Sequence, residues 1–189
     1  STVARVLGRA LHRPVISTDA LVERAAREKI SAIVERRGWA AFRRLEARAV
    51  ARAAAQRRVI IDCGGGAILR RENVRALGRS GVFVWVKAPL AVMRRRVARV
   101  AGRPSLTDAR NAAAEASRNS GNVLAKSIDR DARRLRARRA SAEVATVYRE
   151  RRPLYAALTV ISVSTARGSP RMTADEIIRR LRRSRLLPK

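Results

Sequence analysis

Short runs of β-branched residues alternate with longer amphipathic stretches along the chain. Residues 13–18 (RPVIST), 58–63 (RVIIDC), 81–88 (GVFVWVKA) and 158–165 (LTVISVST) are brief and almost uninterrupted in apolar character. Strands covered on both faces of a parallel sheet read this way. Between them, 1–12, 20–37, 39–57, 71–79 and 89–101 carry helical spacing, and a helix near 173–187 closes the chain. Strand and helix in turn predict an α/β domain, a parallel sheet with helices on its faces. One stretch breaks the rhythm. From Ser105 to Tyr148 no strand signal occurs, and SRNSGN (117–122) is loop-like. We read 103–126 as a lid-like flap and 127–155 as an extended helix region returning to the last strand. The competing reading is an inert, disordered insertion.

Composition narrows this picture. The 189 residues suit a single domain, 1–189. With 47% hydrophobic but only 3% aromatic residues, the interior must be built from Val, Leu, Ile and Ala. The formal net charge is +29, from 44 basic and 15 acidic residues, and only Lys29, Lys87, Lys126 and Lys189 are lysines. Such charge suggests either a polyanion partner or a drift toward Arg around an ordinary fold that handles phosphorylated ligands. The arginines are spread along the whole chain and few aromatics could stack on bases. No specific nucleic acid is therefore expected, while salt-sensitive, non-specific polyanion binding follows from charge alone. One cysteine, Cys63, and one histidine, His12, exclude a disulfide framework and Cys- or His-built metal sites. No apolar run reaches membrane-span length and no signal peptide is visible, so a cytoplasmic protein is the default. The chain opens at Ser1 without Met, so leading segments can lie outside it.

Five motifs carry candidate chemistry. STVARVLGRALHRPVISTD (1–19) has the form that follows the lysine of a phosphate-binding loop, a Ser-Thr opening a helix and then a strand ending in Thr-Asp. On that reading Ser1 ligates Mg²⁺; otherwise it is a helix N-cap. VIIDCGGGAIL (59–69) ends a buried strand in Gly64, Gly65 and Gly66, where the missing Cβ atoms let a ligand approach the backbone. Asp62 there has the position of a Mg²⁺-orienting carboxylate. The bland alternative for the glycines is a flexible turn. AAFRRLE (40–46) sets Arg43 and Glu46 on one helix face, where Arg43 offers a planar fork to a carboxylate or forms only a surface ion pair. AGRPSL (101–106) places Arg103 on a Gly-Pro hinge, able to close over a transferring phosphate. RERRPLYAAL (149–158) sets Arg151 and Arg152 before Pro153, which ends or kinks a helix.

In order and spacing, STVARVLGRAL, STD, FRRLE, GGGA, GRPSL, RRPLY and the closing TARGSP…ADEII resemble the signature of shikimate kinases. The resemblance covers nearly the whole chain apart from 107–148. It implies a three-layer P-loop kinase fold, with parallel strands in the order 2-3-1-4-5. It implies transfer of the ATP γ-phosphate to the 3-hydroxyl of shikimate on the route to chorismate, with Mg²⁺. Residue by residue, it implies that Asp19 holds the shikimate hydroxyls and helps accept the proton. Arg43 and Arg151 would hold the carboxylate, and Gly64, Gly65 and Gly66 would line that pocket. Arg103 would reach the phosphates from the lid, and Arg96 and Pro170 would contact adenine. Ser1 and Thr2 would belong to the nucleotide and Mg²⁺ site. A monomer is expected.

Three departures qualify the match. The glycine loop, its lysine and the central first strand of that order are missing, so the chain is expected to be cut just after the lysine, with activity impaired. Ser17 stands where relatives carry a second aspartate, and Asp62 where they carry a small polar residue. Asp62 is therefore expected to supply the carboxylate lost at Ser17. The lid-to-helix segment is unusually long. Two other functions compete with the enzyme: a non-catalytic ligand-sensing domain of a transcriptional regulator, and a basic nucleic-acid-binding protein using 127–152.

Overall fold

This computed structural model describes residues 2–98, 125–166 and 168–187. Ser1, Arg103 and the flap up to residue 124 lie outside them; its last residues, 125–126, already belong to a helix. Each expected strand forms, shortened to its β-branched centre: β1 (Val15–Ser17), β2 (Ile60–Asp62), β3 (Val84–Lys87) and β4 (Ile161–Ser164). They pair in parallel as two separate two-stranded sheets, β1 with β2 and β3 with β4. Val15 stands opposite Ile60 and Ser17 opposite Asp62; Val84 stands opposite Ile161. The expectation of strands covered on both faces is not met. β1 and β2 are half-buried throughout, and Val86 of β3 is 42% exposed. A strand with one partner keeps an open side, so full burial is not achieved. Only β4 shows a strong inward set, Ile161 and Val163.

Helix α1 (Thr2–Ala10) joins the two strand pairs. Its Leu7 shares one apolar cluster with Ile161, Val163, Ile177 and Leu181, and Ile60 of β2 and Val84 of β3 pack against the same cluster. Ile177 and Leu181 come from the closing helix α7 (Pro170–Arg183). That helix starts earlier than its apolar spacing suggests. Ser169 accepts the Met172 amide at 3.3 Å, and Pro170 fills the first helical position.

The stretch read as one helix over 20–37 is two. Helix α2 (Thr18–Ala26) ends where Arg27 turns left-handed, φ 54°. Helix α3 (Ile30–Ala54) then begins with its Ile30 amide donated to Glu23 Oε1 at 3.2 Å. The carboxylate thus reaches across the break and satisfies an orphan helix-start donor. The predicted break at Gly38 appears as a kink inside α3, with φ 73°. Val22, Ile33, Val34, Phe42 and Ala49 seal α2 against α3 in a second apolar cluster.

Beyond β2 a 3₁₀ turn (Ala67–Leu69) leads into α4 (Arg71–Gly78), and α5 (Leu90–Ala98) follows β3. Helix α6 runs Ala125–Leu158, longer than the expected 127–155. It does not end at Pro153. Buried Val144, Ala145 and Val147 on one side of the proline, and an anchored Tyr155 on the other, tie both halves to the body. No helix among the described residues is long and apolar enough to cross a membrane.

Candidate active site

The parallel pairing brings the C-terminal ends of β1 and β2 to one edge. There β1 passes directly into α2. Ser17 caps that helix, its Oγ accepting the Ala20 amide at 3.2 Å. Thr18 is fully buried and spans the two strands. Its hydroxyl donates to the Asp62 carbonyl at 3.4 Å and accepts the Gly64 amide at 3.3 Å. This link sets the height of the glycine run relative to Asp19.

Each of the three glycines is closed over by a different, distant part of the chain. A Cβ on Gly64 would lie 2.8 Å from Asp19 Oδ1. One on Gly65 would lie 3.0 Å from the Tyr155 hydroxyl and 3.8 Å from Arg151 Nη1. One on Gly66 would lie 2.6 Å from Arg43 Cζ, inside the guanidinium. None of the three has a positive φ. They are glycines for space, and the groups that occupy that space are the protein's own Asp19, Arg43, Arg151 and Tyr155.

Arg43 and Tyr155 are each held by named contacts. Arg43 Nη1 donates to Glu46 Oε2 at 2.7 Å, and its guanidinium carbon sits 5.1 Å from both the Trp39 and Phe42 rings. Trp39 and Phe42 meet edge to face at 5.5 Å. Such ring contacts favour a cation and restrict its rotamers. Glu46 is 1% exposed. Burial pushes its carboxyl above the ordinary range. The Arg43 hydrogen bond and charge pull it down, Asp19 pushes it up and Arg151 pulls it down. Tyr155 donates to the Gly65 carbonyl at 2.6 Å and stacks on Trp85 at 5.3 Å. Its phenol is raised by burial, against the pull of Arg151. The Cys63 thiol, beside Gly64, is pushed up to about 11 by desolvation, then by Glu46 and Asp19. Buried Asn73 donates to the Ala67 carbonyl at 2.9 Å and fixes the turn that follows the glycines.

Asp19, Arg43, Gly64, Gly65, Gly66 and Arg151 therefore meet in one place. Asp62 stands beside Ser17 at the tip of the ladder. The other candidates lie on other elements. Arg96 Nη1 is 3.4 Å from the Thr165 hydroxyl, which donates to the Lys87 carbonyl past the ends of β3 and β4. Pro170 opens α7, and Thr2 is exposed at the start of α1. Ser1 and Arg103 lie outside the described residues. Thr18, Tyr155, Trp85 and Asn73 carry positioning roles that motif reading did not single out. Thr18 and Tyr155 sat inside the motifs STD and RRPLY, but only the fold shows what they touch.

The family model for shikimate kinase matches residues 1–182. The chain belongs to the shikimate kinase family. A shikimate kinase of Nitratidesulfovibrio vulgaris is 38% identical over 159 residues, 82% of this chain and 74% of that protein. One from Syntrophus aciditrophicus is 29% identical across 98% of this chain and 86% of its own length. One from Symbiobacterium thermophilum is 46% identical over a shorter stretch, 47% of this chain and 51% of its own. Among solved structures, the Acinetobacter baumannii shikimate kinase, determined in complex with shikimate, superposes with a TM-score of 0.77. It covers 98% of this chain and 88% of that one at 22% identity, which speaks for a shared α/β fold. An Aquifex aeolicus shikimate kinase superposes with a TM-score of 0.68 at 22% identity, covering 99% of this chain and 91% of its own.

Proposed function

We propose that this chain serves as a shikimate kinase, with shikimate bound over Gly64–Gly66 and ATP supplying the phosphoryl group for its 3-hydroxyl. The observation that supports this most is the convergence of Asp19, Arg43 and Arg151 on three consecutive glycines. Two guanidinium groups suit a carboxylate, which takes planar, charge-assisted hydrogen bonds. Arg43 spends one nitrogen on Glu46 and keeps its remaining donors for substrate. Asp19, across the same strand tip, suits a ring hydroxyl and accepts its proton as the oxygen attacks. The pinned arginines fix the acid end of the substrate, so the hydroxyl is held in place before reaction, and much of the barrier reduction is positioning.

Asp62, at the C-terminal tip of β2 beside Ser17, offers a hard oxygen donor where a nucleotide-bound Mg²⁺ would sit. Mg²⁺ held with ATP neutralises charge on the phosphates during transfer. Arg96 and Pro170 belong on the adenine side, and Arg103 on the lid. A cytoplasmic place on the route to chorismate completes this reading. The test is direct: titrate shikimate into the protein, following Trp39 and Trp85 fluorescence, then measure ATP consumption with and without shikimate in a protein carrying the phosphate-binding loop ahead of Ser1. Saturable quenching and shikimate-dependent turnover are expected. A folded protein showing neither removes the assignment.

A further inference from the structure

A cavity of about 580 Å³ opens at the opposite end of β1 from Asp19. Arg5, Arg9, His12 and Arg13 line it, over Pro14 and Val15. The strand rises about 3.3 Å per residue, so roughly 10 Å or more of chain separates this basin from the glycine site. Its walls are drawn together at Gly8. A Cβ there would lie 2.9 Å from the Arg13 carbonyl and collide with Val15, so only glycine lets the last turn of α1 close on β1.

The charge around this basin is unbalanced. Arg5 and Arg9 are four residues apart on one helix face, where like charges repel. The Ile60 amide donates to the Pro14 carbonyl at 2.9 Å, and Arg57 and Arg58, both exposed, precede Ile60 in the chain, ahead of β2. No carboxylate pairs with any of these five arginines among the described residues. Elsewhere Arg36, Arg37, Arg43, Arg179 and Arg180 each have one. A cation near a helix C-terminus gains from the helix dipole, which accounts for Arg9 and Arg13. It does not account for Arg5, Arg57 or Arg58, which stand outside the last turn. His12 adds a left-handed residue, φ 49°, at a turn that glycine would fill with less strain.

We propose that this basin binds a small anion carrying linked phosphates, a di- or triphosphate, at a site separate from Gly64–Gly66. Guanidinium forks pair with phosphate oxygens two at a time, and several phosphates in one molecule are needed to offset several unpaired arginines. The volume lies in the range of small-molecule sites, and Pro14 and Val15 give an apolar floor for an attached organic group. The decisive contrast is with Arg48 and Arg52. They are also exposed, four apart on a helix and without a carboxylate partner, but lie away from the basin.

Calorimetric titration with tripolyphosphate is the test, at low and moderate salt. One anion per chain is expected in this basin, counted as the binding that the basin variants lose. Arg5→Gln with Arg9→Gln should weaken binding at least tenfold, and Arg48→Gln with Arg52→Gln less than twofold. Equal weakening in the two double variants, or heat without saturation, overturns the site and leaves diffuse charge as the cause. If the first double variant melts early, Arg13→Gln gives the same reading alone. Pyrophosphate against ADP, each read as the binding that Arg5→Gln with Arg9→Gln removes, shows which source fits: tighter ADP assigns the floor to a nucleoside, and equal binding assigns the site to the phosphates.

Discussion

Removing Arg43 while keeping Glu46 should make stability steeply dependent on pH. Glu46 is 1% exposed, and Arg43 is its hydrogen-bonding cation at 2.7 Å. In Arg43→Met the hydrocarbon still fits between Trp39 and Phe42, but a buried carboxylate loses its partner. Breaking a buried pair from one side costs about 3–5 kcal/mol. The sign follows from linkage. The Glu46 carboxyl is already raised in the folded state, and losing Arg43 raises it further. A folded carboxyl above its unfolded value binds protons more tightly when folded. Its contribution is therefore most favourable below the unfolded value of about 4.3 and is lost as pH rises through the folded one. The penalty of Arg43→Met should be largest near pH 8 and shrink toward pH 5. Urea unfolding at several pH values measures this, and 3 kcal/mol corresponds to about 6–12 °C in melting temperature for a chain of this size. Adding Glu46→Gln should restore most of the stability at pH 8 without restoring shikimate binding. A penalty that is flat with pH, or below about 1 kcal/mol at pH 8, would refute the claim that this pair is a buried, dependent one.

Gly64→Ala should cut shikimate-dependent turnover about a hundredfold, since its Cβ would lie 2.8 Å from Asp19 Oδ1 and displace that carboxylate by an ångström or so. Steady-state kinetics and a melting curve check that turnover falls while the fold holds. Tyr155→Phe loses the 2.6 Å hydrogen bond to the Gly65 carbonyl, about 1 kcal/mol. It should raise KM for shikimate more than it lowers kcat. The Cys63 thiol, at about 11, should alkylate with iodoacetamide at a rate rising about tenfold per pH unit through pH 9; a plateau below pH 9 counts against its acidic surroundings. Asp62→Asn should raise the Mg²⁺ needed for half-maximal activity, and an unchanged Mg²⁺ dependence removes Asp62 from the metal site.

Local chemistry made much of the fold legible. The β-branched centres at 15–17, 60–62, 84–87 and 161–164 mark each strand among the described residues, and Gly38 marks the kink in α3. The break at Arg27 was not legible, because it depends on Glu23 reaching across to the Ile30 amide. Pro153 lies inside α6 rather than at its end, because contacts on both of its sides outweigh one lost hydrogen bond. At the site, Asp19, Arg43, Gly64–Gly66 and Arg151, which the motifs named, meet in one place, for a reason the motifs did not carry. Three glycines suggested room for a ligand, whereas the closest neighbours of their missing Cβ atoms are Asp19, Tyr155 and Arg43. Contacts between residues 19, 43, 64–66 and 151–155 are long-range, and no spacing rule in one sequence reports them.

On the proposed function, the same geometry would let a chain of net charge +29 select one acid. The site is not simply positive. Asp19 and Glu46 oppose Arg43 and Arg151, and the two carboxylates raise the Cys63 thiol after desolvation has done so. An entering anion therefore meets a charge-balanced cradle inside a strongly positive protein. The outer field speeds encounter and is screened by salt. Retention must come from the placement of two guanidinium forks, which a non-planar or differently spaced anion cannot satisfy at once. Salt should thus slow shikimate association much more than it speeds dissociation. The paired carboxylates lower gross attraction and raise discrimination, because an anion that fails to engage both arginines leaves Asp19 and Glu46 to repel it.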